Sequence, residues 1–180
     1  MKRWITALLA AVAMGAAAQI LDPNSHLAAN DYQEEEGEKK WQELTLEPPT
    51  FPKQENLREF YVSAVATNKY LIDASTLAVG ADGVVRYVLV VQTSGGATNV
   101  TFEGIHCKER RWKHYASGHS DGTWTKSRAA GTVWRPIENK PVNRHHAALS
   151  RDYFCPVGNA ITTADEGRNA LRLGKHPATN

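Results

Sequence analysis

From Val84 to Val91 every residue is apolar except Arg86. One alternation carries Val85, Tyr87, Leu89 and Val91; the other carries Val84, Arg86, Val88 and Val90. Both are largely apolar and rich in β-branched side chains, which predicts a central strand covered on both faces. Asp82-Gly83 before the run and Gly95-Gly96 after it are turn signals. They favour a strand over a buried helix and place a hairpin at the glycine pair. The return run, Asn99 to Cys107, also alternates. Val100, Phe102 and Gly104 share one face; Thr101, Glu103, Ile105 and Cys107 share the other. In that pairing Cys107 stands at the end of the ladder away from the turn.

The same period continues on either side of this hairpin. Leu57 to Ala66 reads as a first strand, Tyr70 to Asp73 as a short second, and Ser75 to Gly80 as a third or the continuation of the second. After a turn at Lys108-Glu109-Arg110, the run Arg111 to Ser117 sets Trp112, His114 and Ala116 against Arg111, Lys113 and Tyr115. Ser120-Asp121-Gly122 closes another hairpin, answered by Thr123 to Ser127, and Val133 to Ile137 has an irregular, edge-like pattern. Asn143 is a candidate N-cap for a helix over Arg144 to Phe154. That helix buries Ala147, Leu149 and Tyr153 or Phe154, turns Arg144, His145 and Arg151 outward, and stops at Cys155 before Pro156. Upstream, Trp41 and Leu44 stand three apart, as in a short amphipathic turn of helix. Pro48, Pro49 and Pro52 then require an extended strap across the surface. The expected fold is α+β: an antiparallel β-meander of about five to seven strands with one C-terminal helix packed on the sheet. The expected globular domain spans residues 41–160, and residues 161–180 read as a polar C-terminal tail that frays.

Composition changes this picture mainly at the N-terminus. Lys2 and Arg3 precede a short apolar run from Trp4 to Ala13, and Ala16-Ala17-Ala18 offers a small-residue cleavage site. Residues 1–18 therefore read as a secretory signal peptide, too short and too polar beyond its end to serve as a membrane span. Residues 19–40 read as a flexible acidic lead-in. The chain outside the leader is expected in the periplasm, without a stable membrane span. The formal net charge is +2, and Lys2 and Arg3 alone supply that much. A nucleic-acid partner is disfavoured on the same ground. The acidic segment Asp31 to Glu47 either lies against the basic stretch His106 to Arg151 or stays solvated, and the solvated reading is the simpler. Two cysteines remain after the leader, Cys107 and Cys155, and export makes them one disulfide.

The run Ile72-Asp73, Leu77, Val79-Gly80 and Asp82-Gly83-Val84-Val85-Arg86-Tyr87 carries a resemblance. It continues through Gly96-Ala97, Asn99-Val100, Phe102-Glu103-Gly104-Ile105 and Cys107, then Lys113, Tyr115-Ala116, Gly118, Gly122, Trp124 and Tyr153 to Cys155. Over roughly residues 41–156 this pattern resembles the cryptic neisserial protein family. The resemblance implies an exported domain of uncharacterised function and transfers no catalytic residues.

Candidate chemistry is sparse. Arg110, Arg111, Trp112, Lys113, Tyr115 and Trp124 form a basic-aromatic set that would receive an anionic or sugar-like ligand by ion pairing and stacking. The competing reading is a hairpin whose cross-strand pairs simply cover the sheet. No Gly-x-Ser-x-Gly elbow is present, and Asp82-Gly83 and Asp121-Gly122 read as turns rather than calcium loops. His106, His114, His119, His145 and His146 raise a metal or acid–base site. Adjacent helical residues point about 100° apart, so His145 and His146 are not expected to hold one ion. No cofactor, metal or catalytic residue is expected. The leading expectation is a small exported binding or envelope-interaction domain, its partner an envelope protein or glycan. The alternatives are a periplasmic hydrolase using His and Asp residues, or a structural or inhibitory partner of another envelope protein.

Overall fold

The computed structural model describes residues 41–128 and 133–179. The expected leader and the lead-in to residue 40 lie outside them. Eight antiparallel strands form one sheet. They are β1 (Leu57–Glu59), β2 (Lys69–Asp73), β3 (Ala78–Val79), β4 (Val84–Gln92), β5 (Thr98–His106), β6 (Arg111–Gly118), β7 (Trp124–Lys126) and β8 (Arg135–Pro136). The main path runs β1-β2-β4-β5-β6-β7, with β3 on β4 and β8 on β6. The first strand is shorter than its alternation predicts. After Glu59 only Phe60 still bonds the neighbouring strand, donating its N–H to Tyr70.

The apolar run at Val84 does form the central strand, and Val84 to Val90 are buried. Its two alternations divide the core. Val85, Tyr87 and Leu89 pack with Ile105, Trp112, Leu149, Tyr153 and Phe154; Val88 and Val90 pack with Leu71, Val100, Phe102 and Ala116. The first face is covered by helices and the second by residues 41–52, which run extended. The helical turn expected at Trp41 and Leu44 is therefore absent. Those residues are held by tertiary contacts instead: the Trp41 indole donates to the Asp82 carbonyl at 2.8 Å, and the Leu44 N–H donates to Asp82 Oδ2 at 2.8 Å.

On the helical face, α1 (Arg144–Ala148) continues without a break into a wide π-type helix over Leu149–Phe154. The buried stripe is His146, Ala148, Leu149, Tyr153 and Phe154. A second helix, α2 (Ala164–Leu173), corrects the expectation of a fraying tail. Thr163 accepts from the Glu166 N–H at 3.2 Å, and Glu166 reaches back to the Thr162 N–H at 2.6 Å. Together they cap the start of the helix, a variant of the capping box in which Glu166 bonds the residue before the N-cap. Gly174 ends α2 in the left-handed conformation, as C-terminal glycines do. The helix packs closely because Gly167 has no Cβ; one placed there would lie 2.6 Å from Leu77. The disulfide Cys107–Cys155 joins the end of β5 to the end of the π-type helix, with Cα atoms 5.4 Å apart.

Arg86 interrupts the central strand but is 1% exposed. Its guanidinium grips the Asp82 carboxylate with two bonds, Nη1 to Oδ1 at 3.0 Å and Nη2 to Oδ2 at 2.6 Å. Nη2 also donates to the Leu44 carbonyl at 3.1 Å. Gly80 leaves room for this pair, since a Cβ there would meet Asp82 Oδ1 at 2.2 Å.

Two stability outcomes follow from these contacts. Asp82→Asn strands a buried guanidinium and is expected to cost about 3–5 kcal/mol in denaturant unfolding. Replacing Cys107 and Cys155 by Ser together opens a 48-residue separation and is expected to cost up to about 4 kcal/mol in the same measurement.

Candidate functional site

The six basic and aromatic candidates do not share one surface. Trp112 points to the helical face, where its ring stacks on His146 at 3.8 Å, with the Arg135 guanidinium 5.6 Å from its centroid. Arg110 lies in the β5–β6 turn at φ 52 and is exposed. Arg111 is exposed beside Glu109, 3.8 Å away. Lys113 and Tyr115 point to the opposite face from Trp112, under the 41–52 strap. Trp124 is there too: it donates to the Pro49 carbonyl at 2.9 Å and packs on Phe51. A bulge in β6 contributes to this grouping. The register with β5 shifts between Phe102 and Glu103, and Ala116 joins Tyr115 on the strap side.

Lys113 and Tyr115 converge on Glu43, a residue outside the candidate set. Lys113 Nζ donates to Glu43 Oε2 at 2.7 Å, the Tyr115 hydroxyl to Oε1 at 2.8 Å and the Trp134 indole to Oε2 at 3.1 Å. Burial pushes the Glu43 carboxyl up, but these three donors outweigh it and hold it below the usual range. Burial also pushes the Tyr115 hydroxyl well up, so it remains a donor. Beside this carboxylate seat lies a groove of about 240 Å³, lined by Leu44, Leu46, Pro48, Lys126 and Ser127. Lys126 is exposed and pairs with Glu47 at 2.6 Å. Of the acidic segment's described residues, Glu43 is seated against the basic body and Glu47 makes an exposed pair with Lys126.

Ser127 leads from this groove towards the helical face. Its Oγ lies 2.5 Å from His114 Nδ1, while Ser117 Oγ lies 3.2 Å from His114 Nε2. Burial holds His114 below its ordinary pKa, which favours the neutral base. Both ring nitrogens face serines, so this is not a triad with an orienting carboxylate.

A second polar cluster lies between β5 and α1. Glu103 and His146, 4% and 1% exposed, meet at 2.9 Å through Oε2 and Nε2. Tyr87 donates to Glu103 Oε2 at 3.3 Å, and Thr101 donates to Oε1 at 2.9 Å. Burial pushes the Glu103 carboxyl up, but the His146 charge and hydrogen bond prevail and lower it. Burial and then the His146 charge bring His145 down to about 4. The two histidines are closer than the 100° argument anticipates. Their ring centroids stand 4.0 Å apart, tilted by 43°. Side-chain rotation, fixed by Tyr70 stacked on His145 and Trp112 stacked on His146, brings them together.

The family model described as "CNP1-like family" matches residues 36–172, a span that includes β1 to β8, α1 and most of α2. No curated protein and no solved structure matches the chain.

The strap should respond to acid. Glu43 and Asp82 titrate below their ordinary values when the strap is docked; the Asp82 carboxyl, pushed up by burial, is brought below its range by Arg86 and the Leu44 N–H. Docking is thus fully favoured above the free-carboxylate pKa of about 4 and weakens as pH falls through the lowered values. The protection factor of the Leu44 N–H against hydrogen exchange is expected to fall there, and Glu43→Gln is expected to flatten that dependence.

Proposed function

The chain belongs to the CNP1-like family, and from that premise we propose that it is a small exported domain that binds rather than catalyses. Its ligand would be anionic and partly apolar, seated at the strap groove. The observation that carries this reading is the seat of Glu43. One ammonium, one phenol and one indole converge on a single carboxylate beside an apolar wall of Leu44, Leu46 and Pro48. Charge-assisted donors beside an apolar wall are the recognition chemistry for an acidic peptide of an envelope protein or for an anionic glycan. The chain's own strap supplies the carboxylate, and exposed Lys126 remains at the groove with only a weak surface pair.

A periplasmic address is supported by the basic-apolar-small order of the first 18 residues and by the Cys107–Cys155 disulfide, which persists in oxidising compartments. Among the described residues no helix is long and apolar enough to cross a membrane.

A second reading, a hydrolase, is favoured by the Ser127–His114 contact at the wall of the same groove. The two readings separate in one experiment. Wild type, Ser127→Ala and the exposed pair Leu46→Asp with Lys126→Glu are used to capture partners from envelope extract and are assayed on ester and peptide substrates. A partner retained by wild type and Ser127→Ala, and lost from the groove variant, is the expected result. Capture indifferent to the groove variant overturns the binding site. Turnover that disappears in Ser127→Ala replaces binding with hydrolysis.

A further inference from the structure

The polar cluster between β5 and α1 lies on the helical face and takes no part in the strap groove. Glu103, His145 and His146 each offer one ligand atom, and the three atoms lie within 4.8 Å of one another. We propose that these three residues bind one divalent cation of the zinc type. Two imidazoles and one carboxylate form the donor set of open, three-ligand zinc sites, in which a water or an exogenous ligand takes the fourth place. Bonds of about 2.0–2.2 Å at tetrahedral angles set ligand atoms about 3.4 Å apart. His146 Nε2 and Glu103 Oε2, hydrogen-bonded at 2.9 Å, would part slightly to admit the ion, and His145 offers its ligand atom within 4.8 Å of the other two.

Three further features fit a site rather than a lone buried ion pair. The Nδ1 atoms of both His145 and His146 are buried without a hydrogen-bond partner. Such orphaned nitrogens cost stability unless something takes them up, and a neutral imidazole nitrogen that ligates a cation is taken up in that way. Glu103 is oriented by Thr101 at 2.9 Å and Tyr87 at 3.3 Å, the outer-shell bonding that ligating carboxylates carry. The rings are set by stacking, His146 on Trp112 and His145 on Tyr70. His145 is the least buried of the three, and Glu103 and His146 are buried. The donor set excludes soft copper(I) and hard calcium as first choices, since it has neither thiolates nor several oxygens.

The test uses the full exported chain with its disulfide intact. After chelator dialysis it is titrated with Zn²⁺ by calorimetry and with Co²⁺ by visible absorption, beside His145→Ala, Thr101→Val and the surface control His119→Ala. The expected result is one equivalent of metal, intense tetrahedral Co²⁺ bands and a metal-dependent rise in Tm. His145→Ala removes a half-buried side chain, so the fold is retained; affinity falls at least about tenfold and the Co²⁺ bands disappear. Thr101→Val is expected to weaken affinity by about tenfold through Glu103, and His119→Ala leaves it unchanged. No stoichiometric binding by wild type overturns the site. So does binding that His145→Ala leaves intact, because the metal then sits on other histidines.

Discussion

The fold depends on keeping one guanidinium paired inside a strand that is covered on both sides. A buried, unpaired charge is among the costliest defects a small domain can carry, and Arg86 stands in the middle of β4, 1% exposed. Its partner, Asp82, comes from the turn four residues earlier, so the pair ties the strand to the turn that starts it. Nη2 has a further donor, which the Leu44 carbonyl takes, while the buried Nε has no partner. The strap is thus fastened to the sheet from below. Opposite Arg86, β5 presents Gly104, which leaves room for the Tyr115 ring: a Cβ there would lie 2.9 Å from it.

The two faces of the sheet are therefore built on different physics. The helical face is held by bulk apolar burial, with the disulfide closing one end and a buried polar cluster set into the middle. The strap face has a smaller apolar cluster and is closed by charge. Asp82 holds Leu44, Lys113 and Tyr115 hold Glu43, and Lys126 holds Glu47. Apolar burial is non-directional and stays strong at any pH, whereas carboxylate pairs depend on ionisation. The strap face is the side whose closure depends on pH, and the groove beside Glu43 lies on it.

Much of the architecture was legible because a strand's side-chain period of two is a local property. Val84 to Val91 and Asn99 to Cys107 fall into the observed faces residue by residue. The same period already separated Trp112 from Lys113 and Tyr115, so pooling them as one basic-aromatic surface asked more of β6 than alternation permits. The second helix also had local signals, Thr163 with Glu166 at its start and Gly174 at its end. A low apolar content masked them, since α2 presents little beyond Gly167, Ala170 and Leu171 to the core.

The sequence by itself determined the two central strands, the hairpin turn between them, the cysteine pair and the proline strap. Each rests on residues that are neighbours in the chain or on a count that admits one pairing. Only the tertiary structure decided which side chains meet across long separations. Glu43 reaches Lys113, Tyr115 and Trp134 because the strap is extended, and that in turn depends on Asp82 competing for the Leu44 N–H. His145 and His146 approach Glu103 because Trp112 and Tyr70 set their rings. Backbone periodicity specifies where a Cβ points; rotamers and partners from distant segments specify where the functional atoms end.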